Sequence, residues 1–319
     1  MELPAKAYAE NSPLDVVVIG AVGIDTNVYL GKDEIDFTVE ANFSRNLDYV
    51  GGAGGYSSRG FAQLGYRTGF IGAVGPDYNG KFIEEELKHD RIDTLLFSDP
   101  QGSRRSVNIM YKDGRRKNFY DGSGSMELEP DLALCRAFFN KCRGGAVAHF
   151  SIENWTRQLL PLAREAGLTI ACDLQDLVSI EDSYRQDFIK GSDVLFFSAA
   201  NFADPAPLIE RLLAGNPVQV IVAGMGSKGC ALGTREGIRY FEPVQLETPV
   251  IDTNGAGDGL AVGFLASRYL EEGFSLVEAI LRGQLVARYT CTQKASSSHL
   301  ITREMLETFY NQYRLKRQG

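Results

Sequence analysis

The segment "DTNGAGDGLAVGFLA", residues 252–266, places two aspartates around a glycine-rich turn directly before an apolar run. Glycines ahead of a helix let the backbone turn sharply and bring its amide groups close to a ligand. The first amides of a helix lack intrahelical partners and lie at the positive end of the helix dipole. The segment therefore predicts an anion-binding turn.

Asp258 is the unexpected member of this turn, because a carboxylate repels a bound phosphate. It belongs there if it takes a proton from a hydroxyl that attacks the phosphoryl group. Alternatively, Asp258 only stabilises the helix start, an effect of about 0.5–2 kcal/mol. Asp252 would fill that second role equally well, so the residues alone leave both interpretations open.

Two further glycine clusters have the same character. In residues 49–83 the pairs Gly51-Gly52 and Gly54-Gly55 precede a helix-like run, and in residues 222–230 a strand runs into "GMGSKG". Taken singly, each cluster is also consistent with tight turns or close helix packing.

The elements that must position these turns alternate between strands and helices. This alternation predicts βαβ units and a mainly parallel sheet with helices on both faces, whose ligands bind at the carboxyl ends of the strands. The predicted strands are Val16–Gly20, Gly69–Val74, Ala146–Phe150, Leu168–Asp173, Val194–Ser198 and Val218–Ala223. The predicted helices are Asn79–Asp90, Asn154–Ala166, Ser183–Lys190 and Pro207–Ala214.

Segments 26–50 and 104–121 interrupt this rhythm with polar, alternating patterns, and Asp113-Gly114 is a hairpin signal within the second. They predict a small antiparallel β lid above the main sheet. No low-complexity linker or internal repeat divides the chain, so we expect one α/β domain over residues 14–319.

Composition limits the function. A net charge of -8 and a pI near 5.1 disfavour nucleic acid and anionic lipid as partners. The apolar runs are strand-sized and the first residues have no signal-peptide core, so we expect a cytoplasmic protein without a membrane segment. Five scattered cysteines without a Cys-x-x-Cys pair and three isolated histidines predict neither disulfides nor a structural zinc site.

The glycine clusters, in this order, resemble the two signatures of the ribokinase-like carbohydrate kinases, the PfkB family. The signatures read "GGAGGYSSRGFAQLGYRTGFIGAVGPDYNGKFI" and "DTNGAGDGLAVGFLA", and the resemblance runs from Val16 to about Met305. It implies a ribokinase-like fold and an ATP-dependent kinase acting on a hydroxyl of a sugar or sugar-like substrate. No Gly-Lys-Ser/Thr follows the glycines, so neither is a Walker loop.

The resemblance assigns catalytic roles to the second signature. Asp258 is implied as the general base, with the amides of Gly255, Ala256 and Gly257 forming the anion hole. Asp252 corresponds to a ligand of the monovalent cation, such as K⁺, in members that use one, and Ala295 and Ser298 fall near the companion positions.

The resemblance also implies a substrate site. Its members here are Asp25, Gly51, Gly52, Tyr56, Arg105 and Glu153. Ala53 and Tyr56 replace the lysine and the sugar-contacting asparagine common in ribokinases, which disfavours ribose and leaves a nucleoside or a larger sugar open. Tyr56 is expected to stack on a ring or to donate its hydroxyl.

The nucleotide side is implied in the same way. Its members are Asn201, Gly224, Gly226, Ser227, Lys228 and Gly229. Asn201-Phe202-Ala203-Asp204 resembles the family's Asn-x-x-Glu, which organises Mg²⁺ through water, with Asp204 in place of the glutamate. Lys228 is otherwise a solvated turn residue.

The lid is the most basic region of an acidic chain, with Arg104, Arg105, Arg115, Arg116 and Lys117. Such charges suit an anionic sugar substrate, or they are solvated charges that discourage strand pairing at an exposed edge. The resemblance further implies a homodimer through the lid.

Parts of the sequence are compatible with two other functions. An oxidoreductase is suggested by Gly20 to Gly23 after the first strand, but the dinucleotide spacing is absent and Asp25 comes too early for the ribose acid. A sensor that binds sugar or nucleotide without turnover is compatible with the departures at Ala53, Tyr56 and Asp204, whereas the retained Asp258 argues against it.

Overall fold

The computed structural model describes residues 12–121, 128–177, 179, 181–199 and 201–318. Within them the large sheet has the strand order β13-β12-β11-β10-β9-β8-β1-β4-β5. Its strands are β1 Leu14–Ile19, β4 Thr68–Val74, β5 Asp93–Ser98, β8 Cys142–Ser151, β9 Thr169–Asp176, β10 Val194–Ser198, β11 Val220–Gly224, β12 Cys230–Thr234 and β13 Gly237–Phe241. The first eleven residues, where no signal-peptide core is expected, lie outside the described residues.

Seven strands of this sheet run parallel, from β11 across to β5. At one edge of the described sheet, β12 pairs antiparallel with β11, and β13 pairs antiparallel with β12. All six predicted strands are present, with ends that differ by up to four residues. The expected mainly parallel sheet is therefore confirmed, and its carboxyl ends meet at one edge.

Helices cover both faces of the sheet. They are α1 Ala53–Gln63, α2 Tyr78–His89, α3 Leu132–Phe139, α4 Leu160–Glu165, α5 Gln186–Gly191, α6 Ala206–Ala214, α7 Ala256–Leu265, α8 Leu276–Thr290 and α9 Arg303–Gln318. The predicted helix at residues 154–166 is split, because a 3₁₀ turn over Trp155–Leu159 precedes α4 and Pro161 opens α4 without an amide to continue the ladder.

The second sheet has the order β3-β2-β6-β7, with β2 Gly23–Leu30, β3 Ser44–Gly51, β6 Arg104–Met110 and β7 Arg116–Tyr120. We call it the lid. Its outer pairs are antiparallel, but the two middle strands run parallel, because β2 follows β1 and β6 follows β5 from the same edge of the large sheet.

Two apolar cores lie on the two faces of the large sheet. One packs α1, α2, α7 and α8 against Val16, Val147 and Val222; the other packs α3 to α6 against Val17, Ala148 and Ile221. Alternate strand residues thus serve opposite cores, as expected for a sheet covered on both sides. In the described part of the chain, no helix combines the length and the apolar character needed to cross a bilayer.

Candidate active site

The candidate site lies at the carboxyl edge of the large sheet, beneath the lid. The chain leaves β1, β8, β9, β10 and β11 at this edge, and the N-terminus of α7 lies there as well. Residues far apart in sequence therefore meet where loops and helix termini converge.

The turn before α7 has two different glycines. Gly255 has a positive φ of 74°, and a Cβ there would come within 2.3 Å of the Tyr56 ring. A Cβ on Gly257 would meet nothing within 4 Å, so open space lies above the first turn of α7. The Ala256 amide donates to the Thr253 carbonyl at 3.3 Å. Gly255 is thus required by the backbone and by Tyr56, whereas Gly257 faces free space.

Asp258 lies in the first turn of α7 and is partly buried. Ser57 on α1 donates to its Oδ1 at 3.4 Å. Burial, followed by the negative charges of Asp173 and Asp25, raises the pKa of Asp258 well above its ordinary value. Asp258 therefore faces the same region as two carboxylates from β9 and the lid.

Asp173 was missed by the sequence reasoning as a site residue. It lies on β9, its Oδ1 accepts a hydrogen bond from the Gln175 amide at 2.7 Å, and burial raises its pKa to about 6. The signal that could have identified it is an aspartate ending a predicted strand at the ligand-binding edge.

Asp25 rests directly on the Gly51-Gly52 turn. A Cβ on Gly51 would lie 2.2 Å from the Asp25 Cγ, and Gly52 has a φ of 79° with no room for a Cβ beside the Ala21 carbonyl. Burial is the main cause that raises the pKa of Asp25 to about 6. The two glycines thus let a backbone turn approach a carboxylate more closely than any other residue would allow.

Tyr56 is buried, with a relative exposure of 5%. Its hydroxyl lies 2.9 Å from the Tyr49 hydroxyl and 3.5 Å from Asp25 Oδ2, and its ring packs against Gly255. This position supports the hydrogen-bonding alternative for Tyr56, because its buried ring offers little surface for stacking on a sugar.

Arg105 is not brought into the site. Its guanidinium donates to Thr26 Oγ1 at 2.8 Å and lies 3.5 Å from Asp48, on the lid face opposite Asp25. Side chains alternate along a strand, so a shift of one residue changes the face. Arg104 is on the Asp25 side instead and pairs with Glu153 at 2.6 Å.

The predicted nucleotide turn follows β11. Gly226, with a φ of 58°, opens a 3₁₀ turn over Gly226–Lys228; Ser227 and Lys228 are exposed, and a Cβ on Gly229 would meet the Phe241 carbonyl at 1.9 Å. Gly224 ends β11, and its carbonyl accepts from the Ala199 amide at 2.8 Å.

The expected magnesium segment is only partly positioned for that role. Asn201 donates to Asp176 Oδ1, at the end of β9, at 2.6 Å. Asp204 is exposed; it accepts from the Ala206 amide at the start of α6 at 3.0 Å and from the Tyr240 hydroxyl. The Asp204 carboxylate is thus bound to the first amide of α6, and Asp173 and Asp25, but not Asp204, act on the charge of Asp258.

Asp252, the expected cation ligand, is fully buried and bound by protein donors. Its Oδ2 accepts from Asn27 Nδ2 at 2.6 Å and from the Tyr29 hydroxyl at 2.7 Å, and its Oδ1 accepts from the Asn254 amide at 2.8 Å. At the two positions expected to supply further cation ligands, the Ala295 amide donates a hydrogen bond to the Tyr29 hydroxyl, and Ser298 is exposed. The surroundings of Asp252 do not fit a cation. The groups around its carboxylate are hydrogen-bond donors, whereas a cation needs oxygen lone pairs directed at it.

Comparison with known proteins gives consistent results. The model of the pfkB family carbohydrate kinases matches residues 13–303. The acarbose 7(IV)-phosphotransferase of Actinoplanes sp. is 27% identical over 298 residues, covering 92% of this chain and 97% of that protein. A 5-dehydro-2-deoxygluconokinase of Geobacillus thermodenitrificans is 26% identical, with 95% and 94% coverage.

Solved structures support the same assignment. The microbiome-derived acarbose kinase Mak1 is 29% identical and superposes with a TM-score of 0.85 over 94% of this chain and 100% of its own. A putative ribokinase II of E. coli, solved with ATP and Mg²⁺, shares the fold at 17% identity, with a TM-score of 0.75 over 94% of this chain and 99% of its own. The expected ribokinase-like fold is confirmed, and the chain belongs to the pfkB family of carbohydrate kinases.

Proposed function

We propose that this protein transfers the γ-phosphoryl group of ATP to a hydroxyl of an uncharged sugar or sugar-like alcohol. The observation that carries the proposal is the position of Asp258 at the N-terminus of α7, beside the open space over Gly257 and in electrostatic contact with Asp25. A base, an anion cradle and a hydroxyl-binding carboxylate therefore face one region.

The proposed reaction is an in-line displacement. Asp25 accepts hydrogen bonds from sugar hydroxyls seated on the Gly51-Gly52 turn, and Asp258 takes the proton from the attacking hydroxyl. A bond forms between that oxygen and the γ-phosphorus, the bond to the β–γ bridging oxygen breaks, and ADP leaves. The α7 amides stabilise the charge on the transferred group, which is the main need of phosphoryl transfer. The lid above the sugar excludes water, which would otherwise hydrolyse ATP.

The nucleotide is assigned to the turn over Gly226–Lys228 and to Asn201. Open space above Gly226 supports a close approach by a ligand, and Lys228 is exposed and free to reach a phosphate. Mg²⁺ binds mainly through ATP phosphates and water. Asp173, buried at the end of β9, would be its protein-side partner, and a bound cation there would lessen the repulsion between Asp173 and Asp258.

Arg104, the arginine on the Asp25 side of the lid, is already paired, which favours an uncharged substrate over a sugar acid or sugar phosphate. Its guanidinium donates to Glu153 at 2.6 Å, and the charge of Arg116 acts on Asp25 and Asp252 and offsets those two carboxylates. An anionic substrate would have to break the Arg104–Glu153 pair, leaving a partly buried carboxylate without its cation.

A homodimer through the lid is a second part of the proposal. Phe37 and Phe43, in the connection between β2 and β3, are 90% and 94% exposed, which is unusual for such large apolar side chains. Light scattering should give twice the monomer mass for the wild type and the monomer mass for Phe37→Ser/Phe43→Ser. A monomeric wild type would contradict the dimer.

The test of the function is a coupled ADP-release screen over sugars, acarbose, sugar acids, sugar phosphates and nucleosides. We expect turnover with an uncharged sugar and a 10²- to 10⁴-fold lower rate for Asp258→Asn, as for loss of a general base. The control is Asp131→Asn, a helix-capping aspartate on α3. Turnover of acids or phosphates only would refute the uncharged class; turnover of nucleosides only would favour the nucleoside kinase, and binding without turnover would favour the sensor.

A further inference from the structure

The Asp252 carboxylate lies where two parts of the molecule meet. Asp252 begins the turn that leads into α7, while Asn27 and Tyr29, which donate to its Oδ2, both belong to lid strand β2. Asn27 and Tyr29 are two apart on the strand and therefore share a face. The lid and the turn before α7 are thus joined through one buried carboxylate.

The Tyr29 hydroxyl has a complete set of partners. It donates to Asp252 Oδ2 at 2.7 Å, and it accepts from the Ala295 amide at 2.9 Å and from Asn27 Nδ2 at 3.1 Å. Ala295 has a positive φ of 48°, which turns its amide toward this oxygen. One phenolic oxygen therefore ties together the lid, the turn before α7 and the segment after α8.

The neighbouring oxygens are satisfied in the same way. The Asn254 carbonyl accepts from Ser296 Oγ at 2.9 Å, and the Ala295 carbonyl accepts from the Ser298 amide at 2.9 Å. Asn27 Oδ1 accepts from Asn108 Nδ2 at 2.9 Å, which extends the network to β6. In the described residues no group of three or more carboxylate, thiolate or imidazole side chains forms a metal site.

We propose that Tyr29 and Asn27 take the place of a monovalent cation in this protein, and that Tyr29 is a positioning residue for the turn before α7. The inference rests on the proposed function, because the positioned turn is the proposed anion hole. A cation would need lone pairs directed at it, whereas Asp252 is surrounded by hydrogen-bond donors on both oxygens. The turn is therefore held in place without K⁺, and turnover does not depend on it.

The experiment compares K⁺, Na⁺ and tetramethylammonium chloride at equal ionic strength on the full chain. Wild-type kcat and melting temperature should be the same in all three salts. Tyr29→Phe removes only the hydroxyl and should lower kcat about tenfold in each salt, as expected for loss of a hydrogen bond to a charged group, with a smaller change in KM for ATP. Tyr78→Phe, at an exposed position, is the matched control and should behave like the wild type.

Specific outcomes would overturn the inference. Activation of the wild type by K⁺, or a rise in its melting temperature with K⁺ but not Na⁺, would show that a cation binds. A Tyr29→Phe enzyme with wild-type kcat would show that the hydroxyl does not position the turn. If Tyr29→Phe does not fold, the comparison of the three salts on the wild type decides alone. Absence of turnover in every salt would count against the proposed function, and the melting temperatures in the three salts would still test whether a cation binds.

Discussion

The two glycines of the turn before α7 should respond oppositely to the same added methyl group. Gly255→Ala forces an L-residue into left-handed backbone, at about 1–2 kcal/mol, and pushes its Cβ to 2.3 Å from the Tyr56 ring. Gly257→Ala meets no atom within 4 Å and lies in a helical turn, where alanine is about 0.5–1 kcal/mol better than glycine.

These free energies translate into melting temperatures. For a chain of this size, each kcal/mol of lost stability lowers the melting temperature by about 2 °C, so Gly255→Ala should melt at least about 2–4 °C below the wild type. Gly257→Ala should melt at or slightly above the wild-type temperature. Differential scanning calorimetry on both variants measures this directly.

For Gly257→Ala, we expect a large loss of activity although the melting temperature hardly changes. Under the proposed function, the methyl group of Gly257→Ala projects into the space of the transferred phosphoryl group. Since a displacement of a reacting group by about 1 Å lowers the rate on the order of 10²-fold, kcat should fall by that factor in a fully folded enzyme. The measurement is ADP release at saturating substrates. A stable Gly257→Ala variant with wild-type kcat would refute the placement of the phosphoryl group over this turn.

Three other changes have defined outcomes. Asp173→Asn removes a negative charge that raises the pKa of Asp258, and the proposed base acts in its deprotonated form, so the acid limb of the pH profile of kcat/KM should move to lower pH. An acid limb at the wild-type pH would contradict the electrostatic coupling of Asp173 to Asp258. Gly51→Ala should raise the KM for the sugar at least about tenfold while leaving KM for ATP near wild type, because its Cβ displaces the Asp25 carboxylate; equal changes in both would argue against a sugar contact. Arg282→Ala should lower the free energy of unfolding by about 3–5 kcal/mol, since the buried guanidinium bonds Ser267, Glu271 and Glu307, whereas Arg282→Met, which keeps most of the side-chain volume, should cost less. Urea denaturation measures both, and equal losses would show that the lost ion pairs and hydrogen bonds, and not the packing, are responsible.

The central sheet could be predicted because β-branched runs bounded by turn residues mark buried parallel strands. The edge strands β5, β12 and β13 and the helices α3, α8 and α9 were not predicted, and β13 is short and largely exposed with little apolar pattern. The split of the predicted helix at residues 154–166 follows from Pro161, which the apolar periodicity alone does not register.

The site could be predicted where a close contact or a left-handed backbone requires glycine, as at Gly51 and Gly255, because such a requirement is visible in the sequence. The resemblance implied Arg105 and not Arg104. Which of the two faces the site depends on the register of β6 against β2, and the sequence of a single strand does not show that register. The use of Asp252 was likewise hidden, because its partners Asn27 and Tyr29 lie more than 220 positions away.

The same long separations bear on how the chain acquires its fold. The parallel pairing of β2 with β6 joins Asp25 to Ser106, and Asn27 gains its hydrogen bond to Asp252 only when the chain has grown by another 225 positions. Such distant pairings form late, since loop closure must precede any gain from the contact. A ribosome-bound chain that has not yet exposed Asp252 would therefore have a lid without its hydrogen bonds to the turn before α7.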